Sequence, residues 1–217
     1  ETDIYVTDNS NGRIVKWAPG ATEGVAIISS VYSRSLHLDG SGNIYIADTE
    51  NRAIRKIDTD GNVTTWAGGG NNWNSYTDED KLNIGINGPT GMVFDSSGNA
   101  YITVEWSNKI IRINSQGVAN VWANKNQEHG RNNGPVEDAT FKSPRDIVFD
   151  SNGNMFVLEN HSIRKIVFSG ASAVVEDFVG NGRLFENAGS NVPHAPIYNP
   201  SDRPGPVSYT HLTLPTN

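Results

Sequence analysis

One phrase recurs along this chain of 217 residues, and its spacing limits the folds open to it. It reads Leu38-Asp39-Gly40-Ser41-Gly42-Asn43-Ile44-Tyr45-Ile46. It returns as Phe94-Asp95-Ser96-Ser97-Gly98-Asn99-Ala100-Tyr101-Ile102 and as Phe149-Asp150-Ser151-Asn152-Gly153-Asn154-Met155-Phe156-Val157. The aspartates stand at 39, 95 and 150, so the steps are 95 − 39 = 56 and 150 − 95 = 55 residues. A unit repeated at such a period implies an array of like structural units. A partial copy, Ile4-Tyr5-Val6-Thr7-Asp8, matches the second half of the phrase, and Tyr5 lies 45 − 5 = 40 residues before Tyr45.

Each phrase encodes a β-hairpin. A β-rich run ends at Asp, two small or polar residues and Gly-Asn follow, and a second β-rich run begins. Gly reaches positive φ without steric cost, and Asp and Asn bond nearby backbone, so the turn has a mechanism. A third run follows each time: Arg13 to Trp17, Ala53 to Ile57, Lys109 to Ile113 and Ser162 to Ile166. A fourth run comes after it: Gly24 to Ile28, Asn62 to Ala67, Val118 to Ala123 and Ala173 to Val179. Four short antiparallel strands per unit describe a propeller blade. The connecting segments repeat too, as Ile84-x-Ile86-x-x-Pro89, Ala139-x-Phe141-x-x-Pro144 and Ala195-x-Ile197-x-x-Pro200, each after a long Gly/Asn-rich loop.

The run from Pro89-Thr90-Gly91 through Ile113, that from Pro144 through Ile166, and Ile44 to Ile57 (IYIADTENRAIRKI) resemble the NHL-repeat family of β-propellers. The resemblance covers roughly residues 4 to 202. It implies an all-β propeller of NHL type, incomplete, with three full blades and most of a fourth. The expected blades are about 1–30, 36–67, 91–123 and 146–179 within a domain of residues 1–202. Residues 203–217 resemble a translated sequencing adapter and are expected to be a non-native tail. The natural protein is therefore expected to be longer and to supply the remaining blades.

Net charge is 17 − 24 = −7, which disfavours an unaided phosphate-backbone binder. Lys16, Lys56, Arg112 and Lys165 share one register, and some NHL propellers bind RNA, so this remains a minor alternative. With no Cys, disulfides and thiolate chemistry are excluded. No run approaches the ~18 apolar residues of a membrane span. Low Lys with abundant Asn, Gly, Ser and Thr suggests an extracellular or cell-surface bacterial protein.

Two groups of residues are candidates for function. Trp73 and Tyr76 stand in a polar Asn/Gly loop, where aromatic rings can stack on sugars or anchor a protein partner. Asp48, Glu105 and Glu159 stand where second strands end, together with Asp8. The spacings Asp8…Asn11, Asp48…Asn51 and Glu105…Asn108 favour turn organisation. The alternative is a Ca²⁺ or other divalent cation in the central channel, as in gluconolactonase-like or lyase-type propellers. The Asp-x-x-Gly-Asn turns lack the ligand spacing of an EF-hand. The main expectation is a non-catalytic scaffold, without cofactor, that presents loops to a protein or carbohydrate ligand.

Overall fold

The computed structural model describes residues 3–70, 78–126 and 128–180. All lie in the first of two units, Glu1–Arg183; the second, Leu184–Asn217, and with it the expected boundary after residue 202, lies outside the described residues. The described strands, in chain order, are β1 (Ile4–Asp8), β2 (Arg13–Trp17), β3 (Val25–Ser29), β4 (Ser33–Leu38), β5 (Ile44–Asp48), β6 (Ala53–Ile57), β7 (Val63–Gly68) and β8 (Glu79–Asp80). They continue as β9 (Pro89–Phe94), β10 (Ala100–Val104), β11 (Lys109–Ile113), β12 (Val118–Ala123), β13 (Gly134–Pro135), β14 (Asp146–Phe149), β15 (Met155–Leu158), β16 (Ile163–Ser169) and β17 (Ser172–Val179). The described helical pieces are two 3₁₀ turns, Asn9–Asn11 and Glu105–Ser107.

The strands form four antiparallel sheets in chain order: β1-β2-β3, β4-β5-β6-β7, β9-β10-β11-β12 with β8 outside β12, and β14-β15-β16-β17 with β13 outside β17. These are blades of a β-propeller. Among the described residues the first has no counterpart of the inner strands β4, β9 and β14, and the four sheets do not close a ring. The sequence reading did not include β8 and β13. Both come from the long connections, which run along the outer edge of the following sheet and cover its unpaired backbone.

The phrase folds as its turn chemistry requires. Asp39 Oδ1 accepts the backbone N–H groups of Ser41 and Asn43, both at 2.9 Å, and Oδ2 accepts Asn43 Nδ2 at 2.7 Å. Asp95 and Asp150 repeat the pattern with Ser97 and Asn99, and with Asn152 and Asn154. Gly42, Gly98 and Gly153 have φ of 87°, 79° and 80°, which an L side chain adopts only under strain.

Hydrophobic cores lie between adjacent sheets, which explains how a chain only 36% hydrophobic stays folded. One joins Ile14 and Val31 to Ile44, Ile46 and Ile57. The next joins Tyr45 and Ile54 to Ile102 and Ile111, and a third joins Tyr101 and Ile110 to Val157 and Ile166. The repeated connections plug them: Ile84 and Ile86 sit in the second core, Ala139 and Phe141 in the third. Trp66 meets Tyr45 and Phe94 edge-on, and Trp122 meets Tyr101 edge-on while stacking on Phe168. The basic register on the third strands has a local cause. Lys16, Lys56, Arg112 and Lys165 pair across from Tyr5, Tyr45, Tyr101 and Phe156. Lys16 and Lys56 lie about 6 Å from the ring centroids.

Candidate ligand-binding face

Inner strands run antiparallel to their second strands, so each inner strand starts at the end where the second strand turns into the third. That end carries the strand-end carboxylates. Backbone bonds fasten the two features together: Thr49 N–H donates to Tyr32 O and Glu105 N–H to Gly88 O, both at 3.0 Å. The same end is pinned between sheets. Thr49 Oγ1 donates to Pro89 O at 2.8 Å, and Thr90 Oγ1 donates to Pro144 O at 3.0 Å.

Asp48 is fully buried. It accepts Tyr32 N–H at 3.1 Å, Asn51 Nδ2 at 3.0 Å and Arg55 Nε at 3.1 Å. Asp8 is bound by Asn11 and Arg13 in the same manner. Glu159 is also buried and accepts Ser162 Oγ at 2.8 Å, Lys142 N–H at 2.7 Å and Arg131 Nε at 3.2 Å. Arg164, buried beside it, reaches Asn132 O and Thr140 O at 3.1 Å. Glu159 and Arg164 thus tie the connection before β14 onto its sheet. The hairpin of the fourth sheet is two residues shorter than its counterparts, since Met155 pairs with Ile166 where Ala100 pairs with Ile113, and Glu159 N–H closes its turn on Ser162 O at 2.8 Å.

Glu105 departs from the pattern. Its Asn108 is engaged elsewhere, with His129 Nδ1 at 2.9 Å and Ser143 N–H at 2.7 Å. Glu105 instead bridges sheets: Oε2 accepts Arg34 Nη1 at 2.5 Å and Oε1 accepts Arg145 Nε at 3.1 Å. Asp48, Glu105 and Glu159 therefore stand in three separate constellations. No group of three or more His, Cys, Asp or Glu side chains among the described residues could hold a metal ion. The oxygens of Asp48, Glu105 and Glu159 already accept hydrogen bonds from the guanidinium, amide, hydroxyl and backbone donors named above.

Trp73 and Tyr76 lie outside the described residues. Two other exposed aromatics stand on the face instead, and sequence reasoning missed both. Trp106, in the β10–β11 turn, is 41% exposed, and Tyr32, just before β4, is 45% exposed. The Trp106 ring lies over Gly88, where a Cβ would fall 2.5 Å from it, and the Arg52 guanidinium sits 5.9 Å from its centroid. The signal for Trp106 was present: it occupies a hairpin turn, where the corresponding residue of the second sheet is Glu50, whereas Trp17, Trp66 and Trp122 close strands.

One half-buried acid on an inner strand makes no ion pair among the described residues. Asp146 Oδ1 accepts the N–H of Ile147 at 2.9 Å, and burial pushes its carboxyl above the usual range. A hollow of about 520 Å³ lies on the first sheet, lined by Val6, Val15, Trp17 and Gly24 among others. No helix among the described residues is long and apolar enough to cross a membrane.

The face and the sheets together define a β-propeller whose strand-end turns carry mixed polar, basic and aromatic groups. Solved structures share this fold. An auxiliary nutrient binding protein from Bacteroides ovatus matches with a TM-score of 0.63 and 16% identity, over 81% of this chain and 46% of that one. A Bacteroides thetaiotaomicron protein of unknown function matches at 0.61 and 23% identity, over 79% and 44%. Virginiamycin B lyase from Staphylococcus aureus matches at 0.56 and 14%, over 83% and 53%. The chain thus spans about half the length of the structures it resembles. No protein-family model and no curated protein matches it.

Proposed function

We propose that this chain is part of an NHL-type, non-catalytic binding scaffold that presents the strand-end face to a protein or glycan ligand outside a bacterial cell. One observation carries the reading: Trp106 stands exposed at the end of rigid, interlocked sheets, between Arg52 and the Glu105 bridge. An aromatic held in place by Gly88 has little rotamer entropy to lose on binding, which favours contact with a sugar ring or an apolar anchor. The resemblance to nutrient binding proteins from Bacteroides supports the binding role and the extracellular or surface location. The test is a glycan panel titrated against the full chain and its Trp106→Ala variant. The expected result is a loss of about tenfold or more in affinity, worth about 1.4 kcal/mol, at unchanged unfolding midpoint. Unchanged affinity overturns the role of Trp106, and no binding across the panel leaves only the protein branch.

A second reading, a lyase-type propeller, is favoured by Asp146 and by the likeness to streptogramin B lyases. A carboxyl whose hold on its proton is strengthened by burial is suited to proton transfer. A divalent cation in that reading needs ligands other than Asp48, Glu105 and Glu159.

A further inference from the structure

We propose that Arg34 and Arg145, on either side of Glu105, form a site for the carboxylate of an acidic sugar, with the Trp106 ring as its stacking platform. The proposal rests on the glycan branch of the function above and names the substrate class.

The two arginines hold corresponding positions. Leu36 pairs with Ile46 and Ile147 pairs with Val157, and each arginine stands two residues before the first member of its pair. They therefore lie at the starts of the inner strands of the second and fourth sheets, with Glu105 of the third sheet between them. Each takes one oxygen of the same carboxylate. The side chains of Arg34 and Arg145 are 49% and 45% exposed while that of Glu105 is only 10% exposed, so the acid is covered and the arginines reach the surface. Two positive charges and one negative leave 2 − 1 = +1 at this point of a chain whose net charge is −7.

The donors are available. Among the described residues, Arg34 uses Nη1 and Arg145 uses Nε, both on Glu105, and neither makes another hydrogen bond. Guanidinium forks match planar carboxylates in two-point geometry. One carboxylate already bridges the pair, so both cations lie within reach of a single carboxylate group, and the nitrogens not used on Glu105 remain for a ligand carboxylate. Glu105 holds the cations in place and offsets their mutual repulsion. Trp106 follows Glu105 in the same 3₁₀ turn and supplies an exposed ring. A charged fork next to a stacking surface fits a uronic acid better than a neutral sugar or a bare anion.

The experiment measures binding by calorimetry, at low salt, of trigalacturonate and a hyaluronan tetrasaccharide, of their carboxyl-reduced forms, and of inorganic phosphate. The proteins are the full chain and its Arg34→Gln/Arg145→Gln and Glu105→Gln variants. The expected result is that a uronate binds and its reduced form binds about tenfold more weakly. The double arginine variant loses that preference, and Glu105→Gln, which removes the internal competitor, tightens uronate binding. Equal binding of acidic and reduced sugars, or an undiminished preference in the double variant, overturns the site while the glycan-binding reading stands. Phosphate binding as tight as the uronate overturns the sugar specificity. No sugar of either kind binding to the wild-type chain removes both readings. A purely structural bridge would lower the unfolding midpoint of all the variants and leave the acid-to-neutral ratio unchanged.

Discussion

The Asp48 carboxylate, with no exposure to solvent, accepts a hydrogen bond from Arg55 Nε at 3.1 Å across the β5–β6 ladder. Tyr32 N–H and Asn51 Nδ2 complete its shell. Removing one partner of such a pair strands a charge in a region of low polarity. Arg55→Met is expected to cost about 3 kcal/mol, the low end of the range for buried pairs because the Arg55 side chain is 30% exposed. Asp48→Asn/Arg55→Met is expected to cost less than Arg55→Met alone. Guanidinium unfolding of the single and double variants checks this, and equal losses would refute the charge argument.

Phe141 is expected to be a hot spot of stability although it belongs to a connection. It is fully buried in the core between the third and fourth sheets, with Ile147, Met155 and Val157. Phe141→Ala is expected to cost about 3–5 kcal/mol through lost burial and the cavity left behind, and Phe141→Leu much less. Unfolding midpoints of the pair decide whether the repeated connection packs the core or only crosses it.

Stability should carry two opposing pH dependences. Burial raises the Asp146 carboxyl, so its folded form holds the proton more tightly than the unfolded chain does. Its contribution is fully present below the unfolded value near 3.8 and is lost as pH rises through the raised value. Asp58 and Asp150 are held below that value, chiefly by Asn62 and Asn154, so their contribution is present above it and lost on acidification. Asp146→Asn is therefore expected to stabilise the chain at neutral pH relative to pH 3 and to steepen the net loss in acid. Denaturant unfolding at both pH values checks this, and an identical pH profile would exclude Asp146 as the source.

The two outermost described sheets expose apolar side chains. Ile4, Val6 and Val25 do so on the first, and Val148, Leu158, Phe178 and Val179 on the fourth. Exposed apolar side chains on sheets of this kind favour association. Val25→Lys and Phe178→Lys are expected to lower the sedimentation-average mass of the chain at high concentration. A wild-type chain that stays monomeric would remove the premise.

Tyr45 should resist ionisation. Burial, the nearby Asp39 charge and the hydrogen bond to Asp39 push its phenol up to about 12. Absorbance titration should show it ionising after the exposed tyrosines, and Asp39→Asn should bring its transition down.

The blades were legible in the sequence because their instructions are local. Asp39, Ser41, Gly42 and Asn43 settle one hairpin among themselves, and the β-rich run Ile44 to Ala47 that follows is apolar and buried on both faces. The proposed binding face was not legible, because its members meet only when sheets stack. Arg34 and Glu105 are 71 residues apart and Glu105 and Arg145 are 40 apart, so no spacing rule links them. The same spacing that pairs Asp48 with Asn51 does not pair Glu105 with Asn108, since Asn108 finds His129 and Ser143 on a neighbouring connection. Turn chemistry within a few residues determined the repeating unit; the packing of one unit against the next decided which charges face each other and which tryptophan stands in the open.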